Sequence, residues 1–221
     1  MRLYYYAGWQ GVRIISRLFG GWHVDGEENV PRHGGVLVAS NHISLWDPPM
    51  VGAAFPREAF FLAKEELFEK PFLGLVLRSV NVMPIRRGVA DLRGIARALD
   101  VLRKGEILVM FPEGGRVRDG ELHAARPGLG MIAVHADAPI VPCYISGSNR
   151  QREWLSRRAR VRITIGPCRP WSEFAGEAAG GPHGRPLYQA IGDGVMREIT
   201  RLKQKQMQES AAGGPAQQRP A

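Results

Sequence analysis

Short apolar runs alternate with longer amphipathic stretches along most of this chain. Val36–Ser40, Ala59–Ala63, Val80–Ile85, Ile107–Phe111, Pro139–Ser146 and Val161–Ile165 have the length and content expected of strands. Between them the pattern turns helical. Asp47-Pro48-Pro49 leads into the apolar run Met50–Phe55, which predicts a helix with Asp47 as N-cap and Pro48 at the first helical position. Short helical pieces are expected around Glu65–Phe68 and Phe72–Leu77. Asp91–Arg103 predicts an amphipathic helix with Leu92, Ile95, Leu99 and Leu102 on one stripe, stopped by Gly105. Gly128–Ala136 predicts another. Leu187, Ile191, Val195, Ile199 and Leu202 stripe a C-terminal helix that Gly192 and Gly194 weaken. The Gly-rich stretch 176–184 predicts a loop. From Glu209 onward, Ala, Gly, Pro and Gln predict a disordered tail, residues 209–221.

This alternation predicts the α/β class: a single domain over residues 22–208, with a mostly parallel central sheet flanked by helices. Residues 1–21 form a separate N-terminal amphipathic helical segment. There, aromatic and aliphatic groups recur at three- and four-residue steps, and Arg2, Arg13 and Arg17 are the only charges. Tyr, Trp and basic residues together suit a helix lying on anionic lipid. Packing on the body of the protein is the equal alternative, and one helix can do both.

The formal net charge of +9 implies anionic company, either a phospholipid surface or phosphorylated substrates. No arginine–aromatic repeat builds a stacking platform, so nucleic acid is not expected. Cys143 and Cys168 lie neither in a CxxC pair nor near histidine at metal spacing. No metal is expected, and two reduced thiols are the expected state, with a disulfide between them as the alternative. No run approaches the length of a transmembrane helix, and the start lacks the order of a signal peptide. The expected location is peripheral, on the cytoplasmic face of the cell membrane.

Chemistry concentrates just after two of the predicted strands. In Asn41-His42-Ile43-Ser44-Leu45-Trp46-Asp47, a histidine and a carboxylate stand five residues apart. On a straight helix that spacing puts them on different faces. Here the chain leaves a strand at His42 and enters a helix at Asp47, so a turn can fold the carboxylate onto the imidazole. An Asp bonded to one ring nitrogen fixes the tautomer and leaves the other nitrogen to take a proton. The plainer alternatives are a helix cap for Asp47 and a backbone-bonded histidine for His42.

Phe111-Pro112-Glu113-Gly114-Gly115-Arg116 places a glutamate and an arginine on a glycine turn after another strand. Glycine allows a tight turn and close approach to a ligand, and Arg presents a fork that matches phosphate oxygens. Both motifs lie past the carboxyl end of a strand, the edge where open α/β sheets bind ligands. Arg86-Arg87 ends a further strand and is a second phosphate candidate, although for Arg86 surface charge is the favoured explanation. Pro142, in Ile140-Val141-Pro142, suits either an apolar channel or an edge strand.

Taken in order, Asn41-His42 with Asp47, Pro84-Ile85-Arg86-Arg87, Phe111-Pro112-Glu113-Gly114-Gly115-Arg116 and Ile140-Val141-Pro142 resemble the glycerolipid acyltransferase family, most of all its 1-acyl-sn-glycerol-3-phosphate acyltransferases. The resemblance implies that His42, oriented by Asp47, deprotonates an acceptor hydroxyl that attacks the thioester of acyl-CoA or acyl-carrier protein. It implies acceptor contacts for Arg87, Glu113 and Arg116, a turn at Gly114, and an acyl-binding wall at Pro142. No metal, cofactor or covalent acyl-enzyme is implied; the partners are an anionic membrane surface, a lyso-lipid acceptor and the acyl carrier. Two departures bear on the acceptor. Gly115 and Val117 stand where the family carries hydroxyl residues, and Asn81 stands where a glycine is common.

The expected reaction makes phosphatidate from lysophosphatidate. Alternatives are acylation of another lyso-lipid, such as a lyso-ornithine lipid, or a non-catalytic basic protein on anionic membranes. A hydrolase using Ser44 or Ser146 lacks a GxSxG elbow.

Overall fold

The computed structural model of the chain describes residues 3–19, 21–86, 91–156 and 159–212. In chain order the main elements are α1 (Leu3–Phe19), β1 (Trp22–Asp25), β2 (Val36–Ser40), α2 (Asp47–Ala53), β3 (Ala59–Lys64), α3 (Pro71–Ser79), β4 (Val82–Ile85), α4 (Leu92–Arg103), β5 (Ile107–Met110), α5 (Gly128–Ala136), β6 (Ile140–Ser146), α6 (Gln151–Leu155), β7 (Val161–Ile165), α7 (Trp171–Ala175) and α8 (Arg185–Ala212). Among the described residues, seven strands form one sheet in the order β1-β7-β6-β2-β5-β3-β4. β2 to β6 run parallel to one another. β7 runs antiparallel to β6, and β1 follows β7. The expected α/β class with a mostly parallel sheet is what the chain adopts.

β2 sits at the centre of this sheet, and all five of its residues are buried. That is why it reads as an unbroken apolar run and not as an alternating one. Val36 and Val38 face one side with Met50 and Val51 of α2 and Trp154 of α6. Leu37 and Ala39 face the other with Leu102 of α4, Leu129 of α5 and Ile191 of α8. The two faces follow from handedness. β2-α2-β3 and β3-α3-β4 step one way along the sheet, while β4-α4-β5 and β5-α5-β6 step back. Right-handed crossovers therefore carry α2 and α3 on one face and α4 and α5 on the other.

Several local expectations need correcting. Asp47 is not the N-cap of α2. Trp46 holds that position, and the Asp47 carboxylate turns back toward the preceding loop. The stripe of α4 is rotated from the one its leucines suggested: Gly94, Ala98, Val101 and Leu102 are buried, and Leu92 is 75% exposed. β1 was not anticipated, because a four-residue strand carrying His and Asp has little apolar signal. The expected loop at 176–184 begins with a 3-10 turn, Gly176–Gly180. α8 continues through Glu209 to Ala212, beyond the expected start of the tail; the rest of that tail lies outside the described residues. Pro142 is not on an edge. β6 lies between β2 and β7, and Pro142 is opposite Ala39. Its missing N–H falls where the β7 ladder breaks, after Cys143↔Ile165 and before the single bridge Ile140↔Arg169.

Of the two readings of the N-terminal segment, packing on the body of the protein is the one α1 displays. Its inner side docks on the domain. The Tyr5 hydroxyl accepts the Ala59 N–H at 2.9 Å, and burial pushes that phenol up to about 12. Trp9 Nε1 donates to the Phe55 carbonyl at 3.3 Å, and Arg13 lies over the Trp9 and Trp22 rings. On its outer side Ile14, Ile15 and Leu18 are exposed.

The glycines that weaken α8 as an isolated helix let it pack. A Cβ on Gly194 would stand 2.0 Å from the Phe174 carbonyl oxygen of α7, and one on Gly192 2.8 Å from Ala125 Cβ. Overlap with main chain costs about 3 kcal/mol, against ~1 kcal/mol gained in helix propensity. Gly194→Ala is therefore expected to lose about 2 kcal/mol in urea unfolding. Gly11→Ala, with nothing within 4 Å of the added carbon, is expected to be neutral or stabilising. A Gly194→Ala protein as stable as the parent would contradict the close seating of α7 against α8.

Candidate active site

The parallel strands β2, β5 and β6 are adjacent, so their carboxyl ends open on the same edge of the sheet. Neighbouring strands are ~4.8 Å apart, which brings Asn41-His42, Phe111–Glu113 and Ser146–Ser148 within side-chain reach of one another. This edge gathers the candidate residues of both motifs.

His42 Nδ1 lies 2.8 Å from Asp47 Oδ2. The same oxygen accepts the Ile43 and Ser44 N–H groups, each at 2.7 Å. Its partner Oδ1 accepts the Ser148 hydroxyl at 2.5 Å. Asp47 is fully buried, and the His42 side chain is 13% exposed. A carboxylate in such a place needs donors on both oxygens to offset its lost hydration. With Nδ1 donating to Asp47, Nε2 is the nitrogen left to bind or take a proton. The Phe111 ring stacks on the imidazole at 4.1 Å between centroids and 21° between planes, which fixes the ring's tilt.

Glu113 belongs to this machinery differently from the role its position suggested. It is 8% exposed, and its oxygens accept two backbone N–H groups, His42 at 3.0 Å and His123 at 3.3 Å. Burial raises its pKa, and these amides pull it partly back. Its geometry is that of a clamp holding the His42 main chain against the glycine turn. A second tie joins the same loops, Val117 N–H to the His42 carbonyl at 2.8 Å. Because Val117 is itself buried at 8% exposure, a hydroxyl at this position would point into the protein.

Gly114 has φ 72°, and the Arg126 side chain crosses directly over it, 2.5 Å from where a Cβ would stand. Arg126 is anchored by its own N–H to the Pro112 carbonyl at 2.8 Å. Arg116, Arg118 and Arg126 are exposed around this turn. They give the mouth of the site a cationic rim suited to an anion.

Arg87 lies outside the described residues. Its neighbour Arg86 is exposed at the end of β4 and pairs with Glu65 at 2.5 Å. Pro142 is buried on the α8 side of the sheet, against Gly166. Ser44 is buried and its hydroxyl accepts the Trp46 N–H. Ser146 bonds to Gln206 of α8. Among the described residues no cluster of His, Cys, Asp and Glu has the makings of a metal site. Cys143 and Cys168 are both free thiols, and burial pushes Cys143 up to about 12.

Four contributors were not singled out by sequence reasoning: Asn41, Phe111, Arg126 and Ser148. Asn41 bonds to Ile145 N–H at 2.8 Å and Ile145 carbonyl at 3.0 Å, extending the β2–β6 pairing up to the histidine. Ser148 is far from Asp47 along the chain, and only the adjacency of β6 to β2 joins them. Its one local signal is Gly147, whose φ of 79° turns the chain just past the strand.

A model of the acyltransferase family matches residues 21–146. The chain is 28% identical over 165 residues to the 1-acyl-sn-glycerol-3-phosphate acyltransferase of Bacillus subtilis, covering 74% of this chain and 81% of that one. It is 31% identical over 143 residues to the protein of that name from Borreliella burgdorferi, covering 63% and 53%. The crystal structure of the 1-acyl-sn-glycerophosphate (LPA) acyltransferase PlsC from Thermotoga maritima matches with a TM-score of 0.67 at 28% identity, covering 90% of this chain and 79% of that one.

Removing one donor from a buried charged group costs about 1.5–3 kcal/mol. Ser148→Ala is expected to lower unfolding free energy by that amount at neutral pH, and Ser148→Thr, which keeps the hydroxyl, by less. Equal stability of Ser148→Ala and the parent would show that Oδ1 of Asp47 does not depend on this bond.

Proposed function

The chain belongs to the acyltransferase family, and we propose that within it the protein transfers an acyl chain from acyl-CoA or acyl-carrier protein to the free hydroxyl of lysophosphatidate, giving phosphatidate. The observation that carries this reading is the orientation of His42. Asp47 holds Nδ1, which leaves Nε2, with no hydrogen-bond partner among the described residues, at the sheet edge whose glycine turn carries exposed arginines.

The proposed chemistry needs no covalent acyl-enzyme. His42 Nε2 takes the proton of the acceptor hydroxyl while that oxygen bonds to the thioester carbonyl carbon. The tetrahedral intermediate then breaks its C–S bond. The departing thiolate receives the proton from His42, and the products are the diacyl phospholipid and the free thiol carrier. Asp47 steadies the imidazolium formed in between. Arg116 and Arg126 are the proposed grips on the acceptor phosphate, with Arg87 added from the family resemblance. Glu113 and Phe111 hold the base in place.

The acceptor is a membrane lipid, and the protein carries +9. No helix among the described residues is long and apolar enough to cross a membrane. Peripheral attachment to an anionic bilayer, on the cytoplasmic side, is the arrangement that fits this substrate, with the outer side of α1 as a contact.

Purified protein supplied with acyl-CoA or acyl-carrier protein and a panel of lyso-lipids, with products resolved by mass, tests the reading. The expected product is phosphatidate. His42→Ala is expected to lower turnover by about 10²–10⁴-fold with an unchanged circular dichroism spectrum. Thioester consumed to free fatty acid with no lipid acylated would overturn acyl transfer, and exclusive acylation of another panel member would replace lysophosphatidate as the acceptor.

A further inference from the structure

Most large apolar side chains exposed among the described residues belong to three elements. α1 exposes Ile14, Ile15 and Leu18. The turn between His42 and Asp47 exposes Leu45 at 69% and Trp46 at 48%. α3 exposes Phe72 at 81%, Leu75 at 69% and Val76 at 40%. The last three are spaced i, i+3 and i+4, which is one stripe of a helix. α2 and α3 share a face of the sheet by crossover handedness. α1 packs on α2, and its Gly8 lies near Val80 just past α3, 3.9 Å from where its Cβ would stand. The opposite face, by contrast, is covered by α4, α5, α7 and α8.

We propose that α3 and the Leu45–Trp46 tip are docking elements that join α1 in a single footing on an anionic bilayer, seating the catalytic turn itself at the lipid surface. This rests on the lipid acyltransferase reading and adds the elements that present the site to its substrate. Charge selects lipid as the occupant. α1 carries arginines and no acid, and α3 carries Arg78 and no acid, with Lys70 as its N-cap. The acids of the preceding 3-10 turn are drawn into pairs, Glu65 with Arg86 at 2.5 Å and Glu66 with Lys64 at 2.8 Å. Apolar stripes bordered by cations are the pattern of interfacial helices on anionic membranes. The arrangement also has a chemical use. A lyso-lipid held in a leaflet presents its hydroxyl and phosphate at headgroup depth, where His42 and the arginine rim then stand.

The test uses the full chain carrying Phe72→Asp with Leu75→Asp. Both side chains project into solvent, and a milder Phe72→Ser/Leu75→Ser pair guards against misfolding. Co-sedimentation with phosphatidylglycerol–phosphatidylcholine vesicles is expected to show partitioning reduced by about tenfold or more, and Leu45→Asp should weaken it in the same assay. For the α3 pair, kcat/KM for lysophosphatidate embedded in vesicles should fall in parallel, while kcat/KM for a short-chain, monomerically dispersed lysophosphatidate stays at the parent value. Unchanged vesicle binding by both α3 pairs overturns the proposal. So does a parent that sediments as a dimer dissociated by these substitutions while lipid binding persists, since the stripe would then be a subunit interface. Failure of the acyl transfer reading would appear separately, as no lipid product from either form of substrate while the vesicle measurement still decides the footing.

Discussion

A carboxylate with no exposed surface, at Asp47, is the constraint around which the site is arranged. Taking such a group out of water costs several kcal/mol unless donors meet both oxygens. Here the donors come from four residues on two separate stretches of chain. Ile43 and Ser44 supply main-chain N–H groups, His42 supplies its ring, and Ser148 arrives from the end of β6. The turn from 42 to 47 therefore has little freedom. Moving any part of it strips a donor from a buried charge, so the imidazole is held in one tautomer and one orientation without contact from a ligand.

The sheet makes that convergence possible. Three adjacent parallel strands deliver a histidine turn, a glycine turn and a serine turn to the same edge. Two further ties lock the first two together, from Glu113 to the His42 N–H and from the Val117 N–H to the His42 carbonyl. A glutamate that looks like a ligand contact on paper is thus engaged in holding the main chain of His42. The cations that remain at the mouth, Arg116, Arg118 and Arg126, are free of that duty and exposed. The division is physically sensible. Buried acids fix geometry, because they cannot move without losing their donors. Exposed arginines keep their guanidinium groups accessible and charged, as a grip on an anion requires.

The two faces of the sheet are treated differently. One is buried under a layer of four helices. The other is covered by α1, α2 and α6, and the elements there keep apolar side chains outward. α1 makes the point in a single helix. Tyr5 and Trp9 satisfy their polar atoms against the domain, while Ile14, Ile15 and Leu18 point away. An amphipathic pattern alone marks one apolar face and does not say whether protein or lipid covers it.

The sequence by itself determined the element types, most of the strand positions, the α/β class and the two motifs at the strand ends. These follow from side-chain periodicity and from turn residues, which act over a few positions of chain. It did not determine that β6 is interior with Pro142 in a ladder break, that α4 turns its small residues inward and leaves Leu92 in water, or that Asp47 abandons the cap position to hold His42. Nor did it single out Ser148 or Arg126. Each of these depends on which strands become neighbours, and strand order is set by packing between segments distant in sequence. Residues that contribute through a single long-range hydrogen bond carry no local pattern, so only the folded sheet could place them.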